Sequence, residues 1–102
     1  MIIVIFEFEP KELAQSRYFE LAQLLLDEVK QIDGFISVER FQSVADSGRF
    51  VSISTWRDRQ AVDNWRHHLM HQTAQEEGKA SIFDDYRIRV AEVFKDYGLD
   101  DN

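Results

Sequence analysis

Ser52, Ser54 and Trp56 stand at alternate positions of one short run, and three histidines, His67, His68 and His71, follow it closely. Neutral imidazole is the usual proton acceptor near pH 7, so His71 is the candidate general base, and His68, three residues before it, shares its helical face. Trp56 offers an aromatic face to a planar ligand. Ser52 and Ser54 leave volume unfilled where a core would place Val or Leu, and their hydroxyls supply hydrogen bonds to whatever enters. Asp63, His67 and His71 are spaced by four and could line up toward a metal ion. Three ligands on one helix face converge poorly, however, and a solvated polar helix accounts for them, so no metal is expected. Glu7 is a pocket carboxylate if desolvated, and otherwise the partner of Arg87 or Arg89 on a neighbouring strand. Trp65 is in register with Ala61 and Leu69, which makes it core first and a substrate-stacking residue second.

The elements that must position these groups follow from periodicity. Ile2 to Phe8 alternates with apolar residues on both parities, as a central strand should, and Pro10 ends it. From Lys11 to Ile32, apolar residues recur at spacings of three and four and draw one stripe along a helix. Asp33-Gly34 closes that helix, because glycine takes the left-handed cap conformation without steric cost. Phe35 to Val44 and Phe50 to Trp56 alternate on either side of Ala45-Asp46-Ser47-Gly48, a hairpin signal. Asp58 caps a second helix with Ala61, Val62, Trp65 and Leu69 inward, and that helical region ends near Gly78. A fourth strand spans about Tyr86 to Phe94. Residues 1–98 read as one domain and 99–102 as a short acidic tail, with Asp100-Asp101-Asn102 unstructured.

This order gives an α+β fold, a ferredoxin-like βαββαβ sandwich with both helices on one face of a four-stranded antiparallel sheet. The second face also carries apolar residues, so a homodimer packed sheet against sheet is expected. Glu7, Glu39, Arg40, Arg87 and Arg89 interrupt the strands with charge and would pair across strands or across that interface.

Composition narrows the function classes. With 102 residues, 44% hydrophobic and 13% aromatic, the chain builds a single core. It has no cysteine, which removes disulfides, thiolate nucleophiles and four-thiolate zinc sites and suits a reducing cytoplasm. A net charge of −7 disfavours nucleic acid and anionic membranes. The opening MIIVIF reads as a buried strand, since it lacks the basic residues and small-residue cleavage site expected of a leader and Glu7 and Glu9 interrupt it far short of a membrane span. There is no glycine-rich phosphate loop.

The runs DGFISVERFQS at 33–43, the strand ending in Trp56 with Arg57-Asp58 after it, AVDNWRHHLMHQTAQEEG at 61–78 and YRIRVAEVFKDYG at 86–98 resemble the antibiotic biosynthesis monooxygenase domain family, the dimeric α+β barrels. The resemblance implies a pocket between sheet and helices lined by Trp56. It also implies cofactor-independent oxygenation of a small aromatic or quinol substrate, with haem binding or degradation and non-catalytic ligand binding as the alternatives. Haem-degrading members carry a first-strand asparagine, where this chain has Glu7, and a later histidine, whose place falls near Gln75. Polyketide oxygenases of the family carry an asparagine and a tyrosine, where this chain has Ser52 and Val62.

Overall fold

The computed structural model describes residues 1–73 and 82–101, without the side chains of residues 70–73. Strands β1 (Ile2–Pro10), β2 (Phe35–Gln42), β3 (Phe50–Trp56) and β4 (Phe83–Glu92) alternate with helices α1 (Gln15–Val29) and α2 (Arg59–Thr73) in the expected order. They form one antiparallel sheet, β2-β3-β1-β4, with β3 and β1 at its centre. Gly78, the expected end of the second helical region, lies outside the described residues.

Several boundaries differ from the periodicity for local reasons. The first helix starts at Gln15 and not at Lys11. The Lys11 amide donates to the Ile82 carbonyl at 2.7 Å, which keeps that residue with the sheet, and a single 3-10 turn, Glu12–Ala14, bridges to α1. At its other end the chain tightens, with Gln31 and Ile32 amides donating to Glu28 and Val29 carbonyls three residues back. Strand β2 stops at Gln42 because the turn begins there: the Ser43 amide donates to the Arg49 carbonyl at 2.8 Å, and Asp46 Oδ1 accepts from the Gly48 amide at 3.0 Å. Strand β4 begins three residues earlier than expected and ends at Glu92. Leu99–Asp101 forms one 3-10 turn, closed by the Gly98 amide donating to Asp101 Oδ2, where an unstructured tail was expected.

Register decides which side chains meet the helices. Ile2 pairs with Trp56, Val4 with Ser54, Phe6 with Ser52 and Phe8 with Phe50. Toward one end of this face, Ile2, Val29, Trp56 and Ala61 are buried together, with Leu26, Phe35 and Trp65 packed against them. Toward the other end an aromatic cluster forms, with Phe8 stacked on Phe50 at 5.7 Å and Tyr18 tilted against Phe8 at 4.7 Å. Val4, Ser52 and Ser54 lie between the two clusters, and all three are half-buried.

The opposite face carries Ile3, Ile5, Val51 and Ile53, half-buried in the single chain. Charges are threaded through it. Arg49 reaches Glu9 at 2.7 Å and Glu7 at 3.4 Å, and Arg89 reaches Glu7 at 3.2 Å. With side chains a third or more exposed, these pairs contribute modestly to the fold of one chain.

Candidate active site

The site is assembled by the join between β3 and α2. Gly34 has φ 93° and passes so close to α2 that a Cβ there would lie 2.6 Å from the Ala61 Cβ. Only glycine satisfies both the left-handed backbone and the approach. The Arg57 amide donates to the Gly34 carbonyl at 2.7 Å, and the Arg57 guanidinium reaches the Asp33 and Asp58 carboxylates, each at 3.0 Å. Asp58 Oδ1 accepts from the Ala61 amide at 2.9 Å and caps α2, as its position predicts. That backbone hydrogen bond first, and then Arg57, holds the Asp58 carboxyl below its usual range. Hydrogen bonds from Arg57 do the same for Asp33.

This clasp sets α2 so that its inward stripe meets the end of β3. Trp56 is 1% exposed, with Phe35 edge-on at 5.3 Å and Ala61 buried beside it. Its one polar atom is satisfied within its own strand, Trp56 Nε1 donating to Ser54 Oγ at 2.9 Å. Trp65 stacks near Trp56, with ring centroids 6.5 Å apart and 30° between planes, and His68 stacks on Trp65 at 5.4 Å and 19°. His68 Nε2 lies 3.6 Å from a Glu28 carboxylate oxygen on α1. A single column of rings therefore runs from the buried indole to a histidine joining the two helices.

The structure brings Ser52, Ser54, Trp56, Trp65 and His68 to the same side of the sheet. Trp65 is both core and a member of the ring column. His67 is exposed on the outer side of α2, as the solvated reading has it. The His71 backbone lies in the last turn of α2, and its side chain is outside the described residues. Glu7 does not join the site. It pairs in register with Val51 and Arg87, which puts it on the face away from the helices, where Arg49 and Arg89 hold it. The expected pairing with Arg89 is present, and the pocket role is corrected by strand parity.

Two residues between the sheet and α1 were not singled out by chemistry. Tyr18 on α1 has its hydroxyl pKa pushed up to about 12 by burial, against an opposing pull from Arg40. The sequence places Arg40 among the strand charges that pair across strands or across a dimer interface, whereas its guanidinium carbon lies 4.9 Å over the Phe19 ring and 5.9 Å over Tyr18. The cause is a bulge between Phe35 and Ser37, which shifts the parity of β2 by one residue and turns Val38 and Arg40 to the helix side. No local sequence signal marks that bulge.

Among the described residues, no cluster of three or more His, Asp or Glu side chains is arranged to hold a metal ion, and no helix is long and apolar enough to cross a membrane.

Known proteins agree with this architecture. The family described as antibiotic biosynthesis monooxygenase matches residues 1–77. Jasmonate monooxygenase ABM of Pyricularia oryzae is 38% identical over 93 residues, covering 91% of this chain and 43% of the relative. The chain spans less than two thirds of the length of the curated relatives it matches. The structure of Rv0793 from Mycobacterium tuberculosis has a TM-score of 0.79 at 20% identity, covering 95% of this chain and 98% of that one. A MhuD variant with two manganese protoporphyrin IX molecules bound per active site has a TM-score of 0.72 at 17% identity, covering 96% and 99%. The two structural likenesses speak to the fold. The family match over residues 1–77 makes this chain a member of the antibiotic biosynthesis monooxygenase domain family.

Proposed function

We propose that the chain acts as a small oxygenase on a planar aromatic or quinol-type substrate bound between sheet and helices, with no resident cofactor. The observation that carries the reading is the Trp56–Ser54 pair. A fully buried indole with its N–H satisfied inside its own strand is a rigid apolar anchor for one end of the space between sheet and helices, and the half-buried Ser54 and Ser52 follow it along β3. The relative from Pyricularia oryzae, named as a monooxygenase acting on jasmonate, supports oxygenase chemistry over ligand storage.

In this reading His71 takes a phenolic proton, and the resulting anion is electron-rich enough to react with dioxygen directly. One oxygen atom enters the substrate and the other leaves as water, with the substrate's own C–H electrons as reductant. Ser52 and Ser54 orient the substrate by hydrogen bonds, and Trp65 and His68 hold Trp56 in place from the α2 side. The apolar surroundings exclude water from the reactive anion. Glu7 has no part in this chemistry, because it lies on the other face of the sheet.

Haem is the runner-up ligand, and the described residues fit it poorly. An axial histidine must turn a nitrogen toward the iron, whereas His68 stacks on Trp65 and directs Nε2 at Glu28. A flat Soret region on adding haemin is the expected result.

The active form in this proposal is a homodimer packed sheet against sheet. Ile3, Ile5, Val51 and Ile53, with Glu7, Glu9, Arg49 and Arg89 threaded among them, give that face both apolar area and charges of both signs. Oxygen uptake by metal-stripped protein against a panel of quinols and anthrones tests the whole reading. Uptake that is lost in Trp56→Ala supports it, and uptake that survives the substitution removes Trp56 from the site.

A further inference from the structure

Arg40 is the one cation on the helix-facing side of the sheet among the described residues, and nothing in the proposed oxygenation uses it. The β2 bulge brings it there, directly across from Ser52 in the β2–β3 ladder. Its guanidinium is held over the Phe19 and Tyr18 rings of α1. A cation resting on a ring face keeps its N–H donors, which lie in the guanidinium plane, available at its edge. Among the described residues no carboxylate lies within ion-pair distance of it. In a chain of net charge −7, a local cation of this kind is what an anionic ligand requires in order to approach.

Strand register links this cation to Ser52, Ser54 and Trp56. Strand residues rise by about 3.3 Å each, so Ser52 and its neighbour Arg40 stand about 13 Å along β3 from Trp56, with Ser54 midway. A ring lying over Ser54 would have its far substituent near Arg40. The Tyr18 hydroxyl on the same side stays protonated at neutral pH and is a second donor.

We propose that Arg40 is the specificity-determining residue of the cleft and selects substrates whose ring system carries a carboxylate, taken by the guanidinium edge beside Ser52. The proposal rests on the cleft being the substrate site. It narrows the substrate class from planar aromatics to planar aromatic acids.

Naphthoate and naphthamide differ only in the charged group and test this by quenching of tryptophan fluorescence. Wild-type protein is expected to bind naphthoate about tenfold more tightly than naphthamide, the discrimination expected of a charge-assisted hydrogen bond. Arg40→Gln should bring naphthoate down to the naphthamide level, with naphthamide binding reporting that the variant is folded, and Arg40→Lys should keep part of the preference. Equal binding of the two probes by wild-type protein, binding of neither, or a preference that survives Arg40→Gln overturns the proposal. Arg40-dependent naphthoate binding in a protein that consumes no oxygen with any quinol would uphold the anion site while refuting the oxygenase reading.

Discussion

Trp56 Nε1 donates to Ser54 Oγ at 2.9 Å, two residues away on the same face of β3. The strand therefore satisfies its own buried indole, and α2 is left to cover it with carbon and rings alone. Ser54→Ala would strand a buried N–H in a site that is 1% exposed, at a cost of about 1–3 kcal/mol. A fall in the denaturant midpoint at unchanged slope is the expected result. An unchanged midpoint would mean that the indole finds another acceptor.

Gly34 is held by two independent demands, a φ of 93° and the Ala61 Cβ that an added methyl would meet at 2.6 Å. Gly34→Ala should destabilise by about 1–3 kcal/mol or more, since strain and overlap act together. Pairing it with Ala61→Gly removes the overlap and not the strain, so equilibrium unfolding of the double variant should show partial rescue. Full rescue would show that the backbone conformation carries no cost.

Asp33 and Asp58 both have carboxyl pKa values lowered from 3.8, by the Arg57 hydrogen bonds in one case and first by the Ala61 amide in the other. A group with a depressed folded pKa contributes stability above its unfolded pKa and loses it as pH falls through the folded value. The join between β3 and α2 should therefore be stable at neutral pH and weaken only below about pH 4. Asp58→Asn should flatten that acid limb in a pH series of thermal unfolding. A limb of the same steepness in the variant would put the acid sensitivity elsewhere.

Ile53 lies on the sheet face turned away from the helices and pairs with Ile5 at the centre of the sheet. Placing a charge there without a partner should cost the proposed homodimer far more than it costs the monomer fold. Sedimentation is expected to show a dimer for the parent chain and a monomer for Ile53→Glu. A parent chain that is monomeric at micromolar concentration would remove sheet-to-sheet pairing.

Much of this was legible in the amino-acid order because it is set by short-range periodicity. The alternation through Ile2–Phe8, the apolar stripe of α1, the Gly34 cap and the Asp58 cap each follow from residue types within a turn or a pleat of one another. Ser52, Ser54 and Trp56 could be placed on one face because β3 contains no irregularity. Arg40 and Glu7 could not be sorted in that way. One bulge at Ile36 moves Arg40 to the helix side, and only strand pairing shows that Glu7 shares the outer face with Arg49 and Arg89. The stack of Trp65 on His68 and its contact with Glu28 depend on how two helices meet, which no local pattern encodes.

Cofactor-independent oxygenation in the Trp56 cleft is tested most directly by following a heavy oxygen isotope. Chelator-treated protein is incubated under isotopically labelled dioxygen in ordinary water with a quinol or anthrone that it consumes, and the product is weighed by mass spectrometry. One labelled oxygen atom in the product, formed by the parent chain and not by Trp56→Ala, is the predicted result. Product carrying only oxygen from water, or labelled product formed equally by Trp56→Ala, would contradict it.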